Sequence, residues 1–309
     1  MLRVRIALAM LLGVLFASSS LAQTPANPLW HEQKVKNYLP HMTSPEVQDL
    51  LTRTDMVILP IGSLEQHGLQ GPIGTDILGV IERGKLIAQK TDVLVAPILL
   101  PGNSPYHMAF AGTITLPAET IQLVYFQAAQ SLLAHGFKRF LILNGHAGNT
   151  ATVQYLVDRI NQETAGIAVE LDDAAQPFLT RAPRPGPPAF DRHGGVSETS
   201  RSLYLTPNLV NMTVARTAPL TLRPHLEQIL PDVVAGDPTA TRVFLAESLK
   251  AASTGKGTST KDMTETGVWS ALDVKAATAE RGRVETEASV NAAVAFIERW
   301  KQLRPMGIK

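Results

Sequence analysis

Three short segments hold the residue types that can do chemistry. The first runs Gly62-Ser63-Leu64-Glu65-Gln66-His67-Gly68 and continues to Gly74-Thr75-Asp76. In an extended segment, residues two apart point to the same side, so Glu65 and His67 are expected to converge on one point while Gln66 faces away. Asp76, at the start of a helix, can return to that point across the glycine-rich loop. Two carboxylates and an imidazole make half of a divalent-metal site built without sulfur. The alternative is that Asp76 only caps its helix and that Glu65 and His67 belong to a solvated turn.

The second segment, Asn144-Gly145-His146-Ala147-Gly148-Asn149, holds His146 between two glycines directly after an apolar run. Open α/β sheets bind their ligands at the carboxyl ends of parallel strands. A phosphate cradle at the next helix's N-terminus is the rival reading, weakened by the absence of Lys and Arg from the motif. The third segment, His193-Gly194-Gly195-Val196-Ser197-Glu198-Thr199-Ser200, offers Glu198 as a ligand and His193 as a proton carrier, with an ordinary imidazole pKa near ~6.5. A His and a Glu at this spacing mean little alone. Three glycine-rich segments, two of them directly after apolar runs, favour one shared site.

The elements that must position these segments are also legible. Met56–Ile61, Val93–Ile98 and Arg139–Leu143 are short apolar runs ending in Gly, Pro or Asn, which suits strands buried on both faces of a parallel sheet. Ser44-Pro45-Glu46 starts a short helix with proline at its first position. Helical periodicity covers Asp76–Lys90, Pro117–His135 and Asn149–Thr164, and Ile167–Leu171 reads as a further strand. Alternation of this kind predicts a layered α/β fold with a mostly parallel central sheet flanked by helices. Residues 176–188 contain five prolines and form a loop, a candidate lid. Helices are expected again over Val243–Ala252 and Ser270–Lys301, separated by a flexible polar stretch.

Composition narrows the function. The 309 residues carry 28 Lys and Arg against 27 Asp and Glu, a formal charge of +1. That balance argues against nucleic acid and against anionic lipid as partners, and points to a small-molecule substrate. The absence of cysteine removes disulfides, thiolate nucleophiles and sulfur-bound metals. Arg3 and Arg5 precede an apolar run, Ile6–Phe16, and Ser20 and Ala22 stand where a signal peptidase reads small residues. Residues 1–22 are therefore expected to be a signal peptide, whose apolar run of eleven residues is too short to span a bilayer that needs about 20. Cleavage leaves 23–309 as a single domain, periplasmic or secreted and with no membrane anchor.

Taken in order, the three segments resemble the creatininase family of creatinine amidohydrolases and their relatives, with weaker echoes at Phe110-Ala111-Gly112-Thr113, Gly267-Val268-Trp269 and Ala277–Gly282. The resemblance implies a creatininase-like α/β fold with two divalent metal ions, zinc with zinc or manganese, that hydrolyses non-peptide C–N bonds, often in cyclic amides. It implies Glu65, His67, Asp76, His146 and Glu198 as metal ligands, with Asp76 bridging. His193, alongside Glu198, is the implied catalytic residue and assists proton transfer. His107 and Phe190 are expected near the substrate, with a structural role equally open for His107. A homo-oligomer, a hexamer by resemblance, is the expected assembly.

The departures bear on the substrate. Creatinine-cleaving members carry an acid two positions after the histidine matching His146, where this chain has Gly148. Pro188-Ala189-Phe190 stands where they hold creatinine with aromatic and acidic residues. A deformylase or a small-peptide hydrolase on the same metal centre is one alternative. A non-catalytic exported solute-binding protein is the other.

Overall fold

Strands that are apolar at every position, without polar alternation, need cover on both faces. In the computed structural model, which describes residues 24–98, 101–180, 190–248 and 259–307, that cover is complete. The chain runs α1 (Ser44–Leu50), β1 (Met56–Ile61), α2 (Thr75–Thr91), β2 (Leu94–Val95), α3 (Ala118–His135), β3 (Arg139–Asn144), α4 (Thr150–Glu163), β4 (Ile167–Glu170) and α5 (Leu171–Ala175). Then follow β5 (Asp191–His193), α6 (Val196–Leu205), α7 (Pro224–Ala235), α8 (Pro238–Ser248), α9 (Thr260–Met263), β6 (Trp269–Ser270) and α10 (Ala279–Leu303). The expected signal segment 1–22, residues 181–188 of the proline-rich loop and residues 249–258 lie outside the described residues.

Four parallel strands form the sheet in the order β2-β1-β3-β4. The two-residue period of a strand sorts its side chains between two cores. Val57, Leu59, Ile61, Phe140 and Ile142 pack with Ile121, Tyr125 and Phe126 of α3 and Val153, Leu156 and Ile160 of α4. Met56, Ile58, Leu141 and Leu143 pack on the other face with Ile77, Val80 and Ile81 of α2 and Val290, Ala293 and Ile297 of α10. Helices on both faces of a mostly parallel sheet are the fold class read from the sequence.

Several boundaries differ. The predicted strand Val93–Ile98 pairs in the ladder only at Leu94–Val95; the Ala96 amide adds one bond to the Ile58 carbonyl at 3.0 Å, and Pro97 and Ile98 lie half-buried beyond it. The helix expected over Ser270–Lys301 starts at Ala279, because Ser270 is drawn into β6 and Thr278 caps the helix by accepting from the Arg281 amide at 3.2 Å. Helices α6 and α7 are absent from the sequence reading. Glycines precede the first, and Pro231 inside the second disguises its periodicity. The sequence offers no sign of a separate apolar cluster, yet Phe190, Leu226, Val233, Phe244, Met263 and Trp269 form a small third core. Beside it, β5 and β6 make an antiparallel ribbon that pairs His193 with Trp269. Among the described residues, no helix is long and apolar enough to cross a membrane.

Candidate metal centre

Strands β1 and β3 are in register from Met56–Arg139 to Ile61–Asn144, so the first two glycine-rich segments leave the same sheet edge side by side. Two bonds tie them at the exit. The Gly145 amide donates to the Ile61 carbonyl at 2.8 Å, and Asn149 Nδ2 donates to the Gly62 carbonyl at 2.9 Å. The first turn of α2 is pressed against the strand end: a Cβ on Gly62 would lie 2.5 Å from Ile77 Cα. That close approach swings Asp76 over the loop ends. Asp76 therefore does not cap α2, whose N-cap is Gly74.

Asp76 faces two imidazoles at once. Its Oδ1 lies 3.1 Å from His67 Nε2 and its Oδ2 lies 3.1 Å from His146 Nδ1, while Ser63 Oγ donates to Oδ2 at 3.1 Å. Glu65 Oε1 is 3.4 Å from His146 Nδ1, and Glu198 Oε2 is 3.6 Å from His67 Nε2. The donors thus fall into two halves that share Asp76, one with Glu65 and His146, the other with His67 and Glu198. Each imidazole is oriented from behind, as is usual for metal-binding histidines. His67 Nδ1 lies 3.1 Å from the Glu65 carbonyl and His146 Nε2 lies 3.1 Å from the Asn103 carbonyl, so His67 Nε2 and His146 Nδ1 are the nitrogens turned inward.

The third segment is carried outside the four-stranded sheet, by β5 of the two-stranded ribbon and by α6. Asp191 at the start of β5 accepts from the amides of Val196 and Ser197 at 3.1 and 3.0 Å, which caps α6 and fixes Glu198 in its first turn. Glu198 Oε2 also accepts from the Gly194 amide at 2.7 Å.

Electrostatics supports cations at this place. Glu65, His67, Asp76 and His146 are all buried. Among the described residues, Glu65 Oε2 and His67 Nε2 have no hydrogen-bond partner; the approach of Asp76 to His67 is close but not aligned for one. Unpaired buried groups of this kind are costly. Burial, reinforced by the neighbouring Asp76 charge, raises the Glu65 pKa against the pull of His146. Burial would raise Asp76 as well, but His67 and His146 hold it well below the carboxylate range. Burial works against a charged His67 and a charged His146, yet the facing carboxylates push them up to about 10 and about 9. A proton and a divalent cation compete for the same inward nitrogens. Donor atoms of Glu65, His67 and Asp76, and likewise of His67, His193 and Glu198, lie within 4.8 Å of one another. The residues present fit a pair of divalent cations.

The family model for creatininase, described as creatinine amidohydrolase, matches residues 40–297. The chain belongs to the creatininase family. It is 31% identical over 220 residues to a creatinine amidohydrolase of Pseudomonas putida, covering 65% of this chain and 82% of that one. It is 30% identical over 201 residues to a mycofactocin precursor peptide peptidase of Mycobacterium ulcerans, covering 59% and 75%. A solved creatinine amidohydrolase superposes with a TM-score of 0.62 at 21% identity, over 89% of this chain and 99% of that one. The creatininase fold and the candidate metal clusters together make this a metal-dependent hydrolase.

Within the creatininase fold the remaining expected site residues separate. His193, delivered by β5, stacks on His107 with ring centroids 4.1 Å apart and sits 4.4 Å from the His67 ring. Burial, with the His67 charge beside it, lowers its pKa to about 4. His107 joins the same cluster, its Nε2 3.5 Å from Glu65 Oε1; burial and the neighbouring histidines hold it neutral. Phe190 is not brought there. Its ring packs edge-on against Phe244 and Trp269 in the third core, 5.3 and 5.0 Å between centroids, because the β5–β6 ribbon turns it away from the metal cluster.

Gln66 corrects a second expectation. The alternation that would turn it outward holds only for a strand, and here the chain makes isolated bridges and a turn instead. Gln66 is buried, and its amide reaches both His107 and His193. Tyr106 and Thr260 are further neighbours absent from the sequence reading. Tyr106 has its hydroxyl 3.4 Å from His146 Nε2, and Thr260 has its hydroxyl 2.7 Å from His107 Nδ1. The histidine next to Tyr106 was the available signal for the first; nothing in the local sequence marks the second.

Proposed function

We propose that this chain is an exported amidohydrolase that cleaves a non-peptide C–N bond, in a cyclic amide of a small molecule, using two divalent ions. Zinc suits the His and carboxylate donors, with zinc or manganese in the second position. Glu65, His146 and Asp76 would hold one ion, and His67, Glu198 and Asp76 the other. The observation that carries this reading is the Asp76 carboxylate, with one oxygen 3.1 Å from His67 Nε2 and the other 3.1 Å from His146 Nδ1.

When bound, such ions polarise a carbonyl and acidify a water toward neutrality. The chain's own residues supply the rest. His193, its pKa lowered by burial to about 4, is neutral at physiological pH. Its Nδ1, 3.5 Å from Glu65 Oε1 and 3.9 Å from Glu198 Oε2, is the atom that takes a proton from the attacking water. It returns that proton to the leaving nitrogen, which is too basic to depart as an anion.

Creatinine itself is a poor fit. The position where creatinine-cleaving members carry an acid is Gly148, and a Cβ there would overlap His146 Nε2, the Asn103 carbonyl and the Tyr106 hydroxyl. A second reading, hydrolysis of a small peptide, is favoured by the similarity to the peptide peptidase of Mycobacterium ulcerans. In this proposal residues 1–22 direct export and 23–309 form one hydrolase domain, which assembles as a homo-oligomer, a hexamer by family resemblance. Light scattering of the mature chain reads the assembly.

The deciding experiment screens cyclic amides, formamides and short peptides for released product before and after metal removal. His193→Ala is expected to keep its metal and lose turnover. Full activity in a metal-stripped sample would overturn the proposal.

A further inference from the structure

Gln66 lies between the two stacked histidines, and its hydrogen bonds specify which ring nitrogen of each carries the hydrogen. Gln66 Oε1 accepts from the Gly68 amide at 2.9 Å, which directs the NH2 end the opposite way. Nε2 then lies 3.2 Å from the Gly267 carbonyl and 3.2 Å from His107 Nδ1. A carbonyl only accepts, so one amide hydrogen goes to Gly267 and the other points at His107 Nδ1. Of the two imidazole nitrogens near that amide, His193 Nε2 is already committed as a donor to the Gln66 backbone carbonyl, so His107 Nδ1 is the one that accepts and therefore carries no hydrogen of its own. The Thr260 hydroxyl, 2.7 Å from the same nitrogen, is a donor to it for the same reason. Neutral His107 therefore carries its hydrogen on Nε2, the atom 3.5 Å from Glu65 Oε1.

His193 presents the opposite character to the same space. Its Nε2 is 2.5 Å from the Gln66 backbone carbonyl, which needs a donor, so the hydrogen sits there and Nδ1 is bare. The 3.0 Å approach of His193 Nε2 to Gln66 Nε2 carries no hydrogen bond, because both nitrogens hold hydrogens. One residue thus orders both rings, through its side chain for His107 and through its backbone for His193.

We propose that Gln66 is a positioning residue that holds both stacked histidines in the Nε2–H tautomer, so that, with the rings turned oppositely, His193 presents a bare Nδ1 and His107 an Nε2–H toward the metal cluster. The pairing suits hydrolysis, and in that respect it rests on the hydrolase reading above. A proton carrier must arrive with its nitrogen empty, and a carbonyl oxygen that gains charge is stabilised by a preorganised donor. The competing arrangement gives His107 a bare Nε2, which would make it a further imidazole ligand beside Glu65 and His193, whose donor atoms lie within 4.8 Å of it.

Proton–nitrogen correlation NMR of the histidine side chains, on the full mature chain both zinc-loaded and metal-free, reads these tautomers directly. The expected result is hydrogen on Nε2 of both His107 and His193 in both samples. Gln66→Glu exchanges the amide donor for an acceptor and is expected to move the His107 hydrogen to Nδ1 while leaving His193 unchanged. Thr260→Val is expected to leave both rings as they are. Hydrogen on His107 Nδ1 in the unaltered chain overturns the proposal. So does an unmoved His107 in a folded Gln66→Glu chain, or a His107 that flips in Thr260→Val. If Gln66→Glu does not fold, the unaltered chain and Thr260→Val still decide. A chain that takes up no zinc would sink the hydrolase reading, while its metal-free spectrum still settles the tautomers.

Discussion

Ile61 and Asn144 are paired across β1 and β3, the last pair of the ladder, and the two loops that follow them deliver Glu65 with His67 and His146 to one point above the sheet edge. Convergence of donors far apart in the chain is thus a property of strand register. The shared acceptor between them is Asp76, and this makes the two halves of the cluster separable by mutation.

Asp76→Ala is expected to remove both cations, whereas His67→Ala and His146→Ala each weaken one half. Elemental analysis of purified protein should show two equivalents of metal in the unaltered chain, about one in each histidine variant and close to none in Asp76→Ala. Equal loss in all three would mean that the halves do not bind independently.

Chelation should lower thermal stability. Cations that bind only the folded chain stabilise it by about 2.7 kcal/mol at a hundredfold excess over Kd. At roughly 2–4 °C per kcal/mol for a chain approaching this size, a melting scan with and without chelator should differ by several degrees. The gap should vanish in Asp76→Ala.

Gly148→Ala tests how closely the second loop is packed. The added methyl overlaps His146 Nε2, the Asn103 carbonyl and the Tyr106 hydroxyl. Overpacking of this kind costs about 1–3 kcal/mol, and the groups displaced are those that orient His146. Denaturant unfolding should show the loss, and metal uptake should weaken in parallel. A variant with unchanged stability and metal content would show that the loop relaxes freely.

Acid sensitivity is expected from a site far from the metal cluster. Asp92 ends α2 in the left-handed conformation, φ 53° and ψ 33°, and accepts from Asn37 at 2.9 Å and from Arg53 at 3.0 Å, with Lys36 2.9 Å away. Partial burial opposes its charge, but hydrogen bonds from Asn37, Lys36 and Arg53 hold its pKa well below the carboxylate range. A depressed folded pKa contributes stability above the unfolded value of about 3.9 and loses it as pH falls through the folded one. Asp92→Asn keeps a side chain that tolerates the left-handed turn. It should cost about 0.5–1 kcal/mol at neutral pH, given the site's exposure, and flatten the fall in melting temperature below about pH 4.

Much of this protein is written locally. Met56–Ile61 and Phe140–Leu143 have no polar position, which requires cover on both faces, and the helical periodicities between them require layers. That is enough for the fold class, and the carboxyl ends of such strands mark where Glu65, His67 and His146 must emerge. Asp76 and Glu198 are legible for a related reason: each lies in the first turn of a helix beside glycines that let the backbone come close.

Tertiary structure decided the rest, because the deciding partners are far apart in sequence. Gln66 reads as outward by alternation, yet its amide is bound to the Gly267 carbonyl, 201 residues on. His107 Nδ1 lies 2.7 Å from the hydroxyl of Thr260, 153 residues away, and no local pattern specifies that contact. Phe190 precedes His193 in the chain and so looked like a pocket wall, but the β5–β6 ribbon hands its ring to Phe244 and Trp269. Spacing along the chain tells which donors leave the sheet together. Only packing tells what stands behind each imidazole, and that neighbour determines which nitrogen faces the centre.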